Sequence, residues 1–203
     1  LIVKKNMNFY NNSTITEKLF GNSLLSKIIF VSISVILLYL SASQTKIPLY
    51  PVPVSSQTLV VLIISATSGM LGFYSVITYL ALGFLGLPIF ALGGGPTYIF
   101  QPTAGYLYGM GIASFLVAYS AEKLFKESFF KILLTLLSGT LIIFAFGIIH
   151  LSVFGKIAST GDPFGISLAI QYGLKPFVLI ESLKVLFALF FIYALLKKTK
   201  KIN

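Results

Sequence analysis

The sequence contains, near its C-terminal end, the stretch Pro176-Phe-Val-Leu-Ile-Glu-Ser-Leu-Lys-Val-Leu-Phe-Ala-Leu-Phe-Phe-Ile-Tyr-Ala-Leu-Leu196. An apolar run of this length crosses a hydrocarbon core of ~30 Å as one helix. Glu181 and Lys184 interrupt the run, although a charge inside a bilayer costs roughly 2.5 to 3.5 kcal/mol on insertion scales. Residues three positions apart share one helical face. The pair therefore predicts the polar floor of a binding pocket, with an ion pair that only holds helices together as the alternative.

The composition excludes a soluble globular protein. Of the 203 residues, 57% are hydrophobic and only 10% are charged, and the mean hydropathy is +0.95. Apolar stretches of about 20 residues recur along most of the chain, as membrane-spanning helices require. The sequence predicts an all-α integral membrane protein. It contains no cysteine, which excludes disulfides, thiolate metal sites and cysteine nucleophiles.

Proline, glycine and charged connections divide the chain into a bundle of six transmembrane helices. We expect a polar cytoplasmic leader at residues 1–25 and one substrate-binding membrane domain at residues 26–203. The predicted spans are 26–44, 57–70, 73–90, 103–120, 132–154 and 176–196. In the fourth span, Gly105 and Gly109 have the Gly-x-x-x-Gly spacing that allows a neighbouring helix to approach closely.

The distribution of lysines predicts the orientation of these helices. Of the 15 lysines, eleven fall on the side that holds both termini, three on the opposite side, and Lys184 within the membrane. Positive charge concentrates on the cytoplasmic side of membrane proteins, so both termini are predicted to be cytoplasmic. Lysines placed at helix ends and in tails indicate contact with membrane lipid and not with nucleic acid.

This orientation places three loops on the outer side: residues 47–53, 91–102 and 155–175. The second loop contains Gly93, Gly94 and Gly95, whose bare backbone could touch a ligand closely, or which could form a plain turn between helices. Aromatic and amide side chains at Tyr98, Phe100 and Gln101 favour a ligand wall.

Gln57 begins the second span, where its amide could reach the pocket or cap the backbone. The predicted binding site is completed by Glu181 and Lys184. His150 has no second ligand at metal spacing, and no group of serine, histidine and acid suggests catalysis. We therefore predict no catalytic residue, no metal site and no enzyme activity.

Three segments together resemble the BioY family, the biotin-specific S components of energy-coupling factor transporters. They are the proline-rich turn that leads into Gln57-Thr58, the stretch Tyr79–Gly109 with its Gly-Leu-Pro and Pro-Thr-Ala-Gly-Tyr patterns, and Lys175–Lys184. Family members usually have Gly-Asp where this chain has Ile180-Glu181, and glycine in place of Gln101. The small residues of the first span, such as Ser34 and Ala42, do not form a repeated Ala-x-x-x-Ala pattern.

The resemblance implies that the protein takes biotin from outside the cell membrane of a prokaryote and delivers it inward. It also implies a membrane coupling subunit and two ATPase subunits as partners, with ATP used only by them and no cofactor in this chain. Glu181 would accept hydrogen bonds from the ureido N–H groups, and Lys184 would pair with a carboxylate or donate to the carbonyl. An S component for another small vitamin and a structural membrane protein are the alternatives.

Overall fold

The computed structural model describes residues 14–124, 128–157 and 159–200, which fold into helices joined by loops and short 3-10 turns. The helices are α1 Ile15–Phe20, α2 Leu24–Ser43, α3 Gln57–Ser68, α4 Met70–Phe84, α5 Ala104–Leu124, α6 Phe129–Phe154, α7 Gly165–Gly173 and α8 Val178–Lys200. The 3-10 turns are Pro96–Phe100 and Lys175–Phe177. Within these ranges the β-type pairing is limited to isolated bridges inside loops. The predicted all-α fold is confirmed.

The outward faces of the long helices are apolar. Three described stretches are long and apolar enough to cross a membrane, namely Leu24–Ser43, Phe129–Phe154 and Gly165–Lys198. On α8, Leu179 is 72% exposed and Phe190 is 61% exposed. Apolar surface on this scale is unfavourable in water and suits a lipid environment. Helices α3 and α4 are apolar but shorter.

Two predicted boundaries were wrong. The third span, expected to continue to residue 90, ends at Phe84 because the chain turns at Gly86, whose φ of +125° does not fit a right-handed helix. The stretch 155–175, expected to be a loop, contains α7. Its Ala169 is fully buried while Ile166 is 55% exposed, so α7 is a short amphipathic helix packed against α6.

Helices α3 and α4 are joined with almost no loop. Gly69 has a φ of +57°, and the Glu122 carboxylate of α5 accepts a hydrogen bond from the Met70 N–H at 2.8 Å. This bond satisfies one of the N–H groups that begin α4. Gly72 faces the backbone carbonyl of Ile64 so closely that a Cβ atom has no room. The two short helices therefore form a tight antiparallel pair.

Helices α5 and α6 pack closely along the predicted glycine pair. A Cβ atom on Gly109 would lie 2.7 Å from the Ile143 Cα, and one on Gly105 would collide with His150. The sequence prediction of a close helix approach at Gly105 and Gly109 is confirmed. Backbone contact without intervening side chains is what small-residue interfaces provide in membrane helices.

Helices α3, α5 and α8 begin at one end of the bundle, which we name the loop end because residues 44–56, 85–103, 155–157 and 159–177 lie there. At the opposite end α1 packs against α3 and α8, and its Thr16 hydroxyl lies 2.7 Å from that of Ser68. Helix α1 and the first two residues of α2, Leu24 and Leu25, fall in the stretch predicted as a leader. The leader residues 1–13 and the lysines Lys4, Lys5, Lys126 and Lys201, which contribute to the predicted orientation, lie outside the described residues.

Candidate functional site

Glu181 and Lys184 form an ion pair near the start of α8. The Lys184 ammonium lies 2.5 Å from the Glu181 carboxylate, and the two side chains are 12% and 7% exposed. When a carboxylate and an ammonium are buried, their mutual attraction and further hydrogen bonds must offset the loss of hydration. The two side chains lie on one face of α8, as their spacing predicted.

The ion pair is bonded to the start of α3, which runs parallel to α8. Lys184 donates to the Ser55 carbonyl at 2.6 Å and to the Thr58 hydroxyl at 3.1 Å, in addition to Glu181. An ammonium has three donors, so all three are used. The Thr58 hydroxyl in turn donates to Glu181 at 2.8 Å. Lys184 and Thr58 therefore hold the carboxylate from two sides.

Glu181 lines a cavity at the loop end of the bundle. The cavity contains about 510 Å³ of space, including the part that opens to the outside. Its walls come from α3, α5, α6 and α8 and from the loops that precede α3, α5 and α8. They are formed by Val52, Pro53, Ser55, Gln57, Thr58, Ala91, Tyr98, Thr103, Tyr106, Leu107, Met110, Phe144, Phe177 and Glu181. Apolar walls with a few polar groups are typical of sites for small organic ligands.

Tyr98 forms part of the wall and is fixed by its surroundings. Its ring lies edge-on to Phe90, with centroids 4.8 Å apart, and its hydroxyl is 2.8 Å from that of Thr103. Burial raises the pKa of Tyr98 above its ordinary value, although the hydrogen bond with Thr103 lowers it. The phenol therefore stays protonated and keeps its hydrogen-bond donor at neutral pH.

Gln57 also lines the cavity, and its amide is held in place. The amide N–H donates to the Tyr79 hydroxyl at 3.0 Å, and that hydroxyl donates to the Ile89 carbonyl at 2.9 Å. The side chain is buried and makes this contact across to α4. The structure therefore agrees with the interpretation in which the amide faces the pocket and not with a backbone cap.

Glycines 93, 94 and 95 form the turn between α4 and the 3-10 turn, and they are not among the described residues that line the cavity. Gly93 and Gly95 have φ of +114° and +104°, and a Cβ on Gly94 would collide with the Leu87 carbonyl. The Gly95 N–H donates to the Gly83 carbonyl at 2.7 Å. The geometry of this turn is enough to explain why glycine occupies the three positions. Their contact with a ligand stays a prediction.

Phe100, Gln101 and Lys184 are likewise absent from the cavity wall. Phe100 is 61% exposed and contacts Phe154, while the Gln101 carbonyl lies 3.0 Å from a ring nitrogen of His150. Lys184 reaches the site only through Glu181 and Thr58. Of the nine predicted site residues, the structure places Gln57, Tyr98 and Glu181 at the cavity.

Several residues of the site were not predicted from the sequence. Thr58 directly follows Gln57 in α3, and its bond to Glu181 joins positions far apart in the chain. The Tyr106 hydroxyl donates to the Gly173 carbonyl at 2.8 Å, so α7 supports this wall. Phe144 and Phe177 stand between apolar neighbours in the sequence, so no local pattern marked them as part of a site. In the described ranges, no group of three histidine, cysteine or acidic residues is placed to hold a metal ion.

Two relatives of this chain are named as biotin transporters or probable biotin transporters. The chain is 36% identical over 144 residues to the biotin transporter BioY of Thermotoga maritima, an overlap that covers 70% of this chain and 79% of that protein. It is 35% identical over 109 residues to the probable biotin transporter BioY of Lysinibacillus sphaericus, covering 53% of this chain and 56% of that protein. Both relatives are named as transporters, in agreement with the prediction that the chain is not an enzyme.

A solved structure has the same fold. The S-component for biotin from an ECF-type ABC transporter superposes with a TM-score of 0.73, covering 85% of this chain and 92% of that one, at 22% sequence identity. The model of the BioY family matches residues 11–201, which include every helix described above. The resemblance seen in the three sequence segments is thereby confirmed, and this chain belongs to the BioY family.

Proposed function

We propose that this chain is the membrane subunit that captures biotin from the outside and delivers it inward. The observation that carries the proposal is Glu181, a carboxylate held by Lys184 and Thr58 at the wall of an apolar cavity. Family membership supports it, since related proteins are named as biotin transporters.

Biotin has the chemistry that this cavity offers to a ligand. Its ureido ring carries two N–H donors, and Glu181 is an acceptor with lone pairs beyond those used by Thr58 and Lys184. Its fused rings and tail are apolar, as are Leu107, Met110 and Phe144. The Tyr98 hydroxyl and Gln57 amide are candidates for its remaining polar groups. Because Lys184 already uses three donors within the protein, it would serve mainly by orienting Glu181.

The orientation that we propose has six membrane-crossing helices, α2, α3, α4, α5, α6 and α8, with both termini cytoplasmic. The loop end then faces outward, and the cavity opens toward the supply of ligand. The excess of lysines near the termini and in residues 123–131 supports this orientation. The membrane would be the cell membrane of a prokaryote.

A transporter of this type needs an energy source that the chain itself lacks. The sequence contains no phosphate-binding loop of the P-loop type. We propose that a membrane coupling subunit and two ATPase subunits act with it, so that ATP is used only by those partners and this chain carries no cofactor. The structural neighbour is described as a component of an ECF-type ABC transporter, which supports this division of tasks.

Identification of the bound ligand tests the proposed function. We expect the full-length protein, purified from membranes and denatured, to release biotin that mass spectrometry detects, and the emptied protein to bind added biotin stoichiometrically. Release of a different vitamin would support the alternative of another S component. A protein that binds biotin no better than a membrane protein of unrelated fold would contradict the proposal.

Replacement of Thr58 by valine tests the support of Glu181. Valine keeps the shape of threonine but cannot donate to the carboxylate, so we expect the affinity for biotin to fall about 10-fold, as loss of one hydrogen bond to a charged group implies. Thr58→Ser restores the hydroxyl and should restore the affinity. The measurement is titration with biotin by calorimetry, and equal affinity in the valine and serine variants would rule out this role.

A further inference from the structure

A second cavity lies between α6 and α8, on another side of Glu181. It contains about 440 Å³ of space, including the part that is open, and we name it the α6–α8 cleft. Its mouth is formed by Leu137 and Val178, which are 41% and 53% exposed, and by the exposed Ser182. Both helices belong to stretches apolar enough to cross a membrane. The cleft therefore opens sideways, toward the lipid.

The cleft and the site cavity share two wall residues, Glu181 and Phe144. Phe144 lies edge-on to Tyr106 at a centroid distance of 5.7 Å, and it contacts Phe177 at 6.0 Å. These contacts hold the ring from α5 and from the turn before α8. The two spaces therefore meet at these two side chains, and the Phe144 ring forms part of the wall of each.

We propose that the α6–α8 cleft is a lateral opening of the ligand cavity, with Phe144 and Glu181 as its gate. The inference rests on the proposed function, because biotin is the ligand that passes through it. The ligand then exchanges mainly through this side of the bundle, and the opening at the loop end is the minor route.

The polar groups of the cleft suit the ureido end of biotin. The Thr140 hydroxyl donates to the Leu136 carbonyl at 3.0 Å, and the Ser182 hydroxyl donates to the Val178 carbonyl at 2.8 Å. Because each hydroxyl has already used its hydrogen, it can only accept a further bond. The Ser182 hydroxyl at the mouth, the Thr140 hydroxyl in the wall and the Glu181 carboxylate offer successive acceptors to N–H donors, whereas a ligand carboxylate would find no donor among these three side chains.

Substitution of Ser182 by phenylalanine tests the opening. The larger side chain fills the mouth of the cleft but leaves the site cavity unchanged, so the barrier rises while the end states stay the same. In full-length protein in lipid nanodiscs, we expect association and dissociation rates of radiolabelled biotin to fall together by about 10-fold, a barrier rise of about 1.4 kcal/mol, with the dissociation constant unchanged. Leu137→Trp, at the other side of the mouth, should act in the same way if Ser182→Phe fails to fold.

The matched control is Leu183→Phe, which adds an aromatic ring at the next position of α8 outside the cleft and should keep both rates. Unchanged rates in Ser182→Phe and Leu137→Trp would overturn the lateral opening while leaving biotin binding intact. A slower association with unchanged dissociation, or the reverse, would also overturn it, because that result changes affinity and indicates direct contact with the ligand. Absence of biotin binding in the unmodified chain would instead remove the proposed function and this inference with it.

Discussion

Lys184→Met is expected to weaken biotin binding by about 100-fold or more. The substitution removes a charge-assisted hydrogen bond to Glu181, and such bonds contribute about 1.5 to 3 kcal/mol each. It also leaves a buried carboxylate without its counter-ion, so Glu181 loses the partner that orients it toward the ureido N–H groups. Glu181→Gln is expected to lower the affinity similarly, because it places an N–H donor where the ligand also has donors. Calorimetric titration with biotin gives both affinities.

A double variant separates binding from a purely structural role of the pair. Each single substitution leaves one buried charge alone and should destabilise the fold by about 3 to 5 kcal/mol, whereas Glu181→Gln combined with Lys184→Met removes both charges and should recover much of the stability. Under our proposal the double variant still fails to bind biotin. Recovery of both thermal stability and biotin affinity would assign the pair to helix packing only.

Gly109→Ala is expected to destabilise the bundle, although alanine favours a helix over glycine by about 1 kcal/mol. The added Cβ would lie 2.7 Å from the Ile143 Cα and 3.1 Å from the Ile142 carbonyl, and backbone atoms of α6 cannot move aside as a side chain can. Overpacking of this kind costs about 1 to 3 kcal/mol. The measurement is the midpoint of thermal unfolding of the purified protein in detergent.

Gly111→Ala is the matched control on the same helix. Its Cβ would meet only the Leu80 and Ile77 methyl groups, the nearer at 3.3 Å, and these flexible ends can shift. We expect Gly111→Ala to be neutral or slightly stabilising, because the gain in helix propensity is kept. A similar loss of stability in both variants would contradict the interpretation that the close approach of α5 and α6 depends on Gly109.

Helix positions and the charged pair were predictable because they follow from local rules. A long apolar run predicts a spanning helix whatever lies beside it, and α2, α6 and α8 begin or end within a few residues of the expected positions. Glu181 was predictable because a charged side chain inside an apolar helix is costly in a membrane and usually has a structural or functional role. Gly105 and Gly109 were found because small residues four apart form a surface that a second helix can approach.

The remaining features depend on contacts between distant parts of the chain. Thr58 looks like an ordinary helix-start residue until α8 brings Glu181 beside it. Tyr98 and Phe100 have similar aromatic side chains, but the 3-10 turn directs Tyr98 into the cavity and leaves Phe100 exposed. The triple glycine suggests a ligand contact and is explained by the geometry of its own turn. Helix α7 is short, and its apolar face is recognisable only once α6 is there to cover it.

The bond between Thr58 and Glu181 joins residues 123 positions apart in the chain. Thr58 belongs to α3 and Glu181 to α8, the first and the last of the four helices that line the cavity. A nascent chain that has inserted only its earlier segments consequently has no acid at the pocket floor. Under the proposed function, the pocket for biotin is therefore incomplete until α8 has joined α3.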